Sequence, residues 1–419
     1  MNSSTLRAVT PLYLALTLTS ATLVVLVLAA GLAMRRSAPP AGADVASLPP
    51  TFTPTSTLAP TSTPGPTSTP IPASTPTPTI TPAPTATSDF APAGKGIALG
   101  GITHAWQTWN NCGPATLSML LSAYGSTLDQ ATIGAVLRLH EDDKNVGPHE
   151  LAAYAREQGY RAQVRINGTA DLLRLLLSNG TPVLVETWHE AEPGDGLGHY
   201  RLLTGYDDAA GYWIAYDSYD AANLIAPDGP YQGIRLPYAA FDADWRVFNR
   251  TYLLIYPPER EALLTAMAGP PAPEAESWQA ALETARMEAA AQPNDAFARF
   301  NAGNALLALG RSGDAATAFD EARSLGLPWR MLWYQFGPLE AYYAQGRYAD
   351  VAELARTTIG SGADIEELHY WLGMAISAQG DAAGATSAWQ HALSLNPGYA
   401  PVLDALTAYA DGAGATVTD

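Results

Sequence analysis

Residues 39–92 form a low-complexity run of Thr, Ser, Pro and Ala, typified by the stretch TFTPTSTLAPTSTPGPTSTPIPASTPTPTITPAPTATS. Such a run holds too little apolar surface to bury a core, and its prolines favour extended polyproline II backbone. At ~3.1 Å per residue, a run of about 50 residues reaches on the order of 150 Å. Folded structure must therefore lie before it or after it.

Before it, Pro11 to Met34 contains no charged residue. About 20 apolar residues cross the hydrocarbon of a bilayer as a helix, so this segment is long enough to be an anchor. A secretory leader has a shorter apolar core, although the small residues from Ala29 to Ala33 would suit cleavage. Arg7 precedes the segment and Arg35 and Arg36 follow it, so flanking charge barely biases the orientation. The stalk decides it, because Thr/Pro-rich stalks suit a cell surface. The expected arrangement is a single-pass membrane protein with residues 1–38 as anchor segment, 39–93 as disordered stalk, and the globular parts outside the cytoplasm.

The net charge of −18 has a simple distribution. Residues 1–93 carry +1, residues 94–260 carry −7 and residues 261–419 carry −12. No basic stripe exists to neutralise phosphates, which excludes nucleic acid as an expected partner. The chain has one cysteine, so it has neither an internal disulfide framework nor a CxxC zinc site. A lone cysteine is ordinarily a small buried apolar filler.

Its surroundings argue otherwise. After Cys112, residues Leu117, Leu120, Leu121 and Tyr124 recur at helical spacing, and Gly125 follows as a stop. Pro114 belongs in the first turn, where its missing N–H is harmless. Cys112 thus sits at or just before a helix N-terminus, where unpaired N–H groups and the helix dipole favour a thiolate. That position suits a nucleophile.

Helices are expected over 129–139, 148–158 and 170–177, with strands over 161–166, 182–188, 200–206, 212–217 and 252–256. Helices first and an antiparallel sheet afterwards is an α+β pattern. Residues 207–211 read as a hairpin turn. If Tyr206 pairs with Tyr212, Arg201 faces Asp217, and His199 lies diagonally from Asp217 on the same face, roughly 7–8 Å away at Cα. A slip of one residue would separate them.

The runs from Gln107 through Cys112 to Thr116 (QTWNNCGPAT), from Gly198 to Asp207 (GHYRLLTGYD) and from Trp213 to Asp217 (WIAYD) resemble the double-glycine, bacteriocin-processing peptidase-like family, whose members are papain-fold cysteine peptidases. The resemblance covers about 96–257. It implies Cys112 as nucleophile, His199 as general base and then acid, Asp217 as orienter of His199, and Gln107 as side-chain donor of the oxyanion hole. Two departures are visible: Ser218 stands where the family often has Pro, and the loop 190–198 (EAEPGDGLG) is long and acidic. No transporter ATP-binding domain accompanies the peptidase-like region, so leader processing is not carried over. No cofactor and no metal are expected. His104, His189, His140 and His149 read as packing or surface residues.

Beyond a linker at 261–273, Gly310, Gly346 and Gly380 recur at near-constant intervals, each between two helical patterns. This resembles the tetratricopeptide repeat. An all-α solenoid over 274–419 follows, with a protein partner expected in its concave face. Two functions stand: a membrane-anchored cysteine peptidase acting on a peptide or protein substrate, and a catalytically silent peptidase-like binding module.

Overall fold

The computed structural model describes residues 90–140 and 142–414. The expected span at 11–34 and nearly all of the expected stalk lie outside the described residues. Among the described residues, no helix is long and apolar enough to cross a membrane.

The first folded part combines seven strands with six helices. In chain order they are β1 (Gly96–Ala98), α1 (Cys112–Ser122), α2 (Gln130–Leu137), α3 (Pro148–Glu157), β2 (Arg161–Arg165), α4 (Ala170–Ser178), β3 (Val183–His189), β4 (Leu197–Asp207), β5 (Tyr212–Asp217), β6 (Ile234–Pro237), α5 (Tyr238–Trp245), β7 (Tyr252–Tyr256) and α6 (Glu261–Ala268). Caps fix several boundaries: Asp129 accepts the Thr132 N–H ahead of α2, and Thr169 accepts the Leu172 N–H ahead of α4. Gly125, at φ +83°, ends the segment after α1 as the sequence pattern requires.

All strands pair antiparallel in the order β2-β7-β3-β4-β5-β6, and β1 pairs with the far end of β4. The strand alternation builds two cores. Leu184, Tyr200, Leu202, Leu253 and Ile255 pack under α1 to α3, with Leu117, Leu120 and Leu151 fully buried there. Val183, Val185, Leu203, Trp213 and Leu254 pack under α4 to α6 on the other face. The short strands β1 and β6 and the helices α5 and α6 had no strong periodic signature. The stretch expected as linker at 261–273 begins with α6, whose Leu264 and Met267 are buried in the second core.

The C-terminal part is helical: α7 (Glu274–Ala291), α8 (Ala296–Ala308), α9 (Ser312–Ser324), α10 (Gly337–Ala344), α11 (Tyr348–Gly360), α12 (Glu366–Ala378), α13 (Ala382–Leu395) and α14 (Ala400–Gly414), with a 3-10 segment at Trp329–Trp333. Gly310, Gly346 and Gly380 all adopt positive φ in the turns joining α8 to α9, α10 to α11 and α12 to α13. This region is not a detached appendix. Trp188, Val247 and Phe248 of the sheet part share one buried core with Leu282, Phe300 and Phe319 of the helices.

Candidate active site

Cys112 is the first residue of α1, and Asn111 before it does not cap the helix with its side chain. The Asn111 amide instead reaches Gln130, donating to its backbone oxygen at 3.3 Å and to Oε1 at 2.9 Å. The free N–H groups of the first turn are therefore left to the thiol. Burial opposes ionisation of Cys112. The hydrogen bond and charge of His199, together with the backbone N–H groups of Tyr200 and Gly113, outweigh it and lower the thiol pKa.

His199 and Asp217 come together on adjacent strands. His199 Nε2 lies 2.8 Å from Asp217 Oδ1, with both side chains essentially fully buried. Burial disfavours the imidazolium, but Asp217 and Cys112 prevail and raise the His199 pKa to about 9. Asp217 is held by more than the histidine. Its Oδ1 also accepts the backbone N–H groups of Tyr219 and Asp220, both at 2.8 Å, and its Oδ2 accepts Arg201 Nε at 2.9 Å. Against the upward push of burial, these partners keep the carboxyl far below the ordinary carboxylate range. All three shifts run toward the charged forms: thiolate, imidazolium and carboxylate.

The register that assembles this line differs from the one expected near the turn. Tyr206 pairs with Trp213, not with Tyr212. A bulge between Leu203 and Gly205 then shifts the ladder by one residue, so that Arg201 faces Asp217 as expected. Gly205 permits this, since a side chain there would strike Ile97 O of β1.

Gln107 lies beside the site on the segment leading into α1. Its backbone N–H donates to Ser218 O at 2.8 Å, and its Oε1 accepts from Ser218 Oγ at 2.9 Å. That leaves its Nε2 hydrogens for another acceptor. His104 packs as expected, stacked on Tyr231 at 3.5 Å between centroids, with Nε2 2.8 Å from Asp217 O. His189 receives a hydrogen bond from Arg201 at its Nδ1.

Three participants were not anticipated. Asn110 lines the small cavity beside Cys112 and carries a buried Nδ2 without a hydrogen-bond partner. Glu186 lines the same cavity; burial and the negative charge of Cys112 push its carboxyl up to about 8. The third comes from the helical region. Tyr334 lines the cavity, its ring so close over Gly198 that an added Cβ would sit 3.1 Å from it. Asn110 and Glu186 stand in the runs NNC and ETW, which hold no distinctive spacing. Tyr334 is more than 130 residues from His199, and only tertiary structure brings it there.

Residues 102–251 match the model of the Peptidase_C39 like family. Over that stretch the chain is similar to the C39-like peptidases. No curated protein matches the chain. Among solved structures, the peptidase domain of Streptococcus ComA, a bi-functional ABC transporter involved in a quorum-sensing pathway, is 16% identical with a TM-score of 0.30, covering 38% of this chain and 99% of that one. A Bacillus anthracis protein described as a C39-like peptidase is 13% identical with a TM-score of 0.30, covering 39% and 98%. MamA from Desulfovibrio magneticus RS-1 is 22% identical with a TM-score of 0.27, covering 29% of this chain and 67% of that one.

The helical region closes over the C39-like domain at two loops. Arg330 pairs with Asp195 in the acidic loop before β4, at 2.5 Å, and also donates to its backbone oxygen. On the other side, Asn145 Nδ2 donates to Glu367 Oε1 at 3.0 Å, and Lys144 lies over the Trp333 ring. Between these clamps the cavity at Cys112 measures about 20 Å³, little more than one water molecule occupies.

Proposed function

We propose that this chain is a cysteine peptidase whose access to substrate is controlled by its helical region. The observation that supports it is that Cys112 and His199 line one small cavity, with His199 Nε2 2.8 Å from the buried Asp217 Oδ1. Asn, Gln or a neutral packing set would satisfy a silent fold as well; an ion pair aligned by a carboxylate suits acyl transfer.

In this reading the Cys112 thiolate attacks the scissile carbonyl and forms a C–S bond. The Cys112 N–H and the Gln107 amide stabilise the oxyanion. His199 gives its proton to the leaving amine as the C–N bond breaks. Neutral His199 then removes a proton from water, which attacks the thioester and frees the carboxylic product and the thiolate. Asp217 orients the imidazole and stabilises its charge. The helix pairs, read as tetratricopeptide-like repeats, recruit a protein partner or substrate, and the apolar segment 11–34 anchors the chain in a membrane with these domains outside the cytoplasm. Turnover of a peptide library by wild type and Cys112→Ala tests the chemistry, with equal turnover by both overturning it.

A second reading has one observation in its favour. A cavity of about 20 Å³ admits no peptide, which is what a silent binding module would also present. Lack of acylation of Cys112 by any electrophilic peptide, even after the clamps are loosened, would favour that reading.

A further inference from the structure

Asp364, His369 and His391 converge at one point on the helical region, far in sequence from Cys112, His199 and Asp217. Asp364 sits in the turn before α12, His369 in the first turn of α12 and His391 near the end of α13. Both imidazoles present Nε2 to the same carboxylate: His369 at 2.6 Å and His391 at 3.0 Å from Asp364 Oδ1. One ligand atom from each residue lies within 4.8 Å of the other two.

We propose that these three residues bind a divalent zinc-class ion, with water completing a tetrahedral shell. Two neutral imidazoles and one carboxylate suit zinc and its late transition-metal neighbours, whereas calcium and magnesium prefer all-oxygen sites. With metal–ligand bonds of about 2.0–2.2 Å, tetrahedral ligand atoms stand roughly 3.3 Å apart. The two His–Asp364 separations need to open by less than about 1 Å, a side-chain adjustment.

The frame that carries the ligands is rigid where it matters. Trp389 of α13 packs on Gly373 of α12, where any side chain would collide with the indole, and Trp389 Nε1 donates to Tyr370 O at 3.3 Å. His369 and His391 flank this contact, their ring centroids 4.2 Å apart. The Asp364 and His391 side chains are about half exposed, at 50% and 45%, so an ion and its water can enter. Without an ion the carboxylate would merely bridge two imidazoles by hydrogen bonds. The two states differ in one measurable respect, stoichiometric binding.

The test uses the full-length chain carrying Cys112→Ser, which removes the competing thiolate, after treatment with a chelator and desalting. Zinc is titrated against a chromophoric chelator, and cobalt is titrated while visible absorption is followed. The expected result is one ion per chain, a cobalt spectrum of tetrahedral intensity, and a Tm that rises with zinc concentration. Asp364→Asn and His391→Ala should each weaken binding by at least about tenfold. His391 is half exposed, so its variant keeps the fold, which thermal unfolding without metal verifies. The proposal is overturned by absence of stoichiometric binding, or by binding that His391→Ala and Asp364→Asn leave unchanged.

Discussion

Ser218 grips Gln107 twice, accepting its backbone N–H at 2.8 Å and donating Oγ to its side-chain Oε1 at 2.9 Å. A proline at this position could offer the carbonyl but no hydroxyl. The departure from the family pattern thus supplies an anchor for the amide that would meet an oxyanion. Ser218 follows Asp217 directly, so one turn positions both the Asp217 carboxylate and the Gln107 amide.

Removing that anchor should lower kcat without much change in KM. Gln107→Ala should cost roughly 10²–10³ in turnover, the usual size for one lost oxyanion donor. Ser218→Ala should cost less, because the amide remains but is no longer held. Steady-state kinetics on both variants checks the order. A Ser218→Ala enzyme that loses only KM would assign Ser218 to substrate binding instead.

If Cys112 and His199 form a thiolate–imidazolium pair, reactivity should show a broad plateau. Cys112 should react with iodoacetamide well below the ordinary thiol pKa, because His199 lowers its own, and the plateau should end as His199 loses its proton near pH 9. His199→Ala should move the onset of alkylation upward. Mass-spectrometric alkylation rates from pH 4 to 10 supply the measurement, and identical profiles for the two proteins would show the pair is not coupled.

The parts of the site set by local pattern were legible in the sequence. Helical spacing after Cys112 and the strand pattern around His199 and Asp217 depend on neighbours a few residues away. The hairpin register was misplaced by one residue at the turn, and the bulge at Thr204 restored it beyond. A bulge leaves no periodic trace; its cause lies in β1, which crosses Gly205 from more than 100 residues upstream. Tyr334 and Arg330 were invisible for the same reason, since no local rule states which surface a helix pair will cover.

Glu186 predicts an unusual response to pH. Its folded pKa of about 8 stands above the unfolded value of about 4.3. The folded state therefore binds this proton more tightly. The associated stability is complete below pH ~4.3 and is lost as pH rises toward 8, at no more than about 1.4 kcal/mol per pH unit. Glu186→Gln keeps the shape and removes the titration. Its Tm advantage over wild type should grow from pH 5 to pH 8 in calorimetric scans, and an unchanged gap would place the carboxylate in contact with solvent or a cation.

Access to Cys112 is best tested by point changes. Deleting the helices would uncover Trp188, Val247 and Phe248, which are buried against them, and would confound opening with unfolding. Tyr334→Ala empties the space over Gly198, and Arg330→Ala releases the loop at Asp195. If the helical region gates the site, the double variant should react much faster than wild type with a bulky peptide-derived electrophile. Its rate with iodoacetamide should rise far less, because a small reagent needs only a narrow opening. The ratio of the two rates isolates access from intrinsic thiol reactivity, which both reagents report equally. A ratio unaffected by the double change would mean that substrate reaches the thiol by another path, and Tyr334 would then be a wall of the cleft.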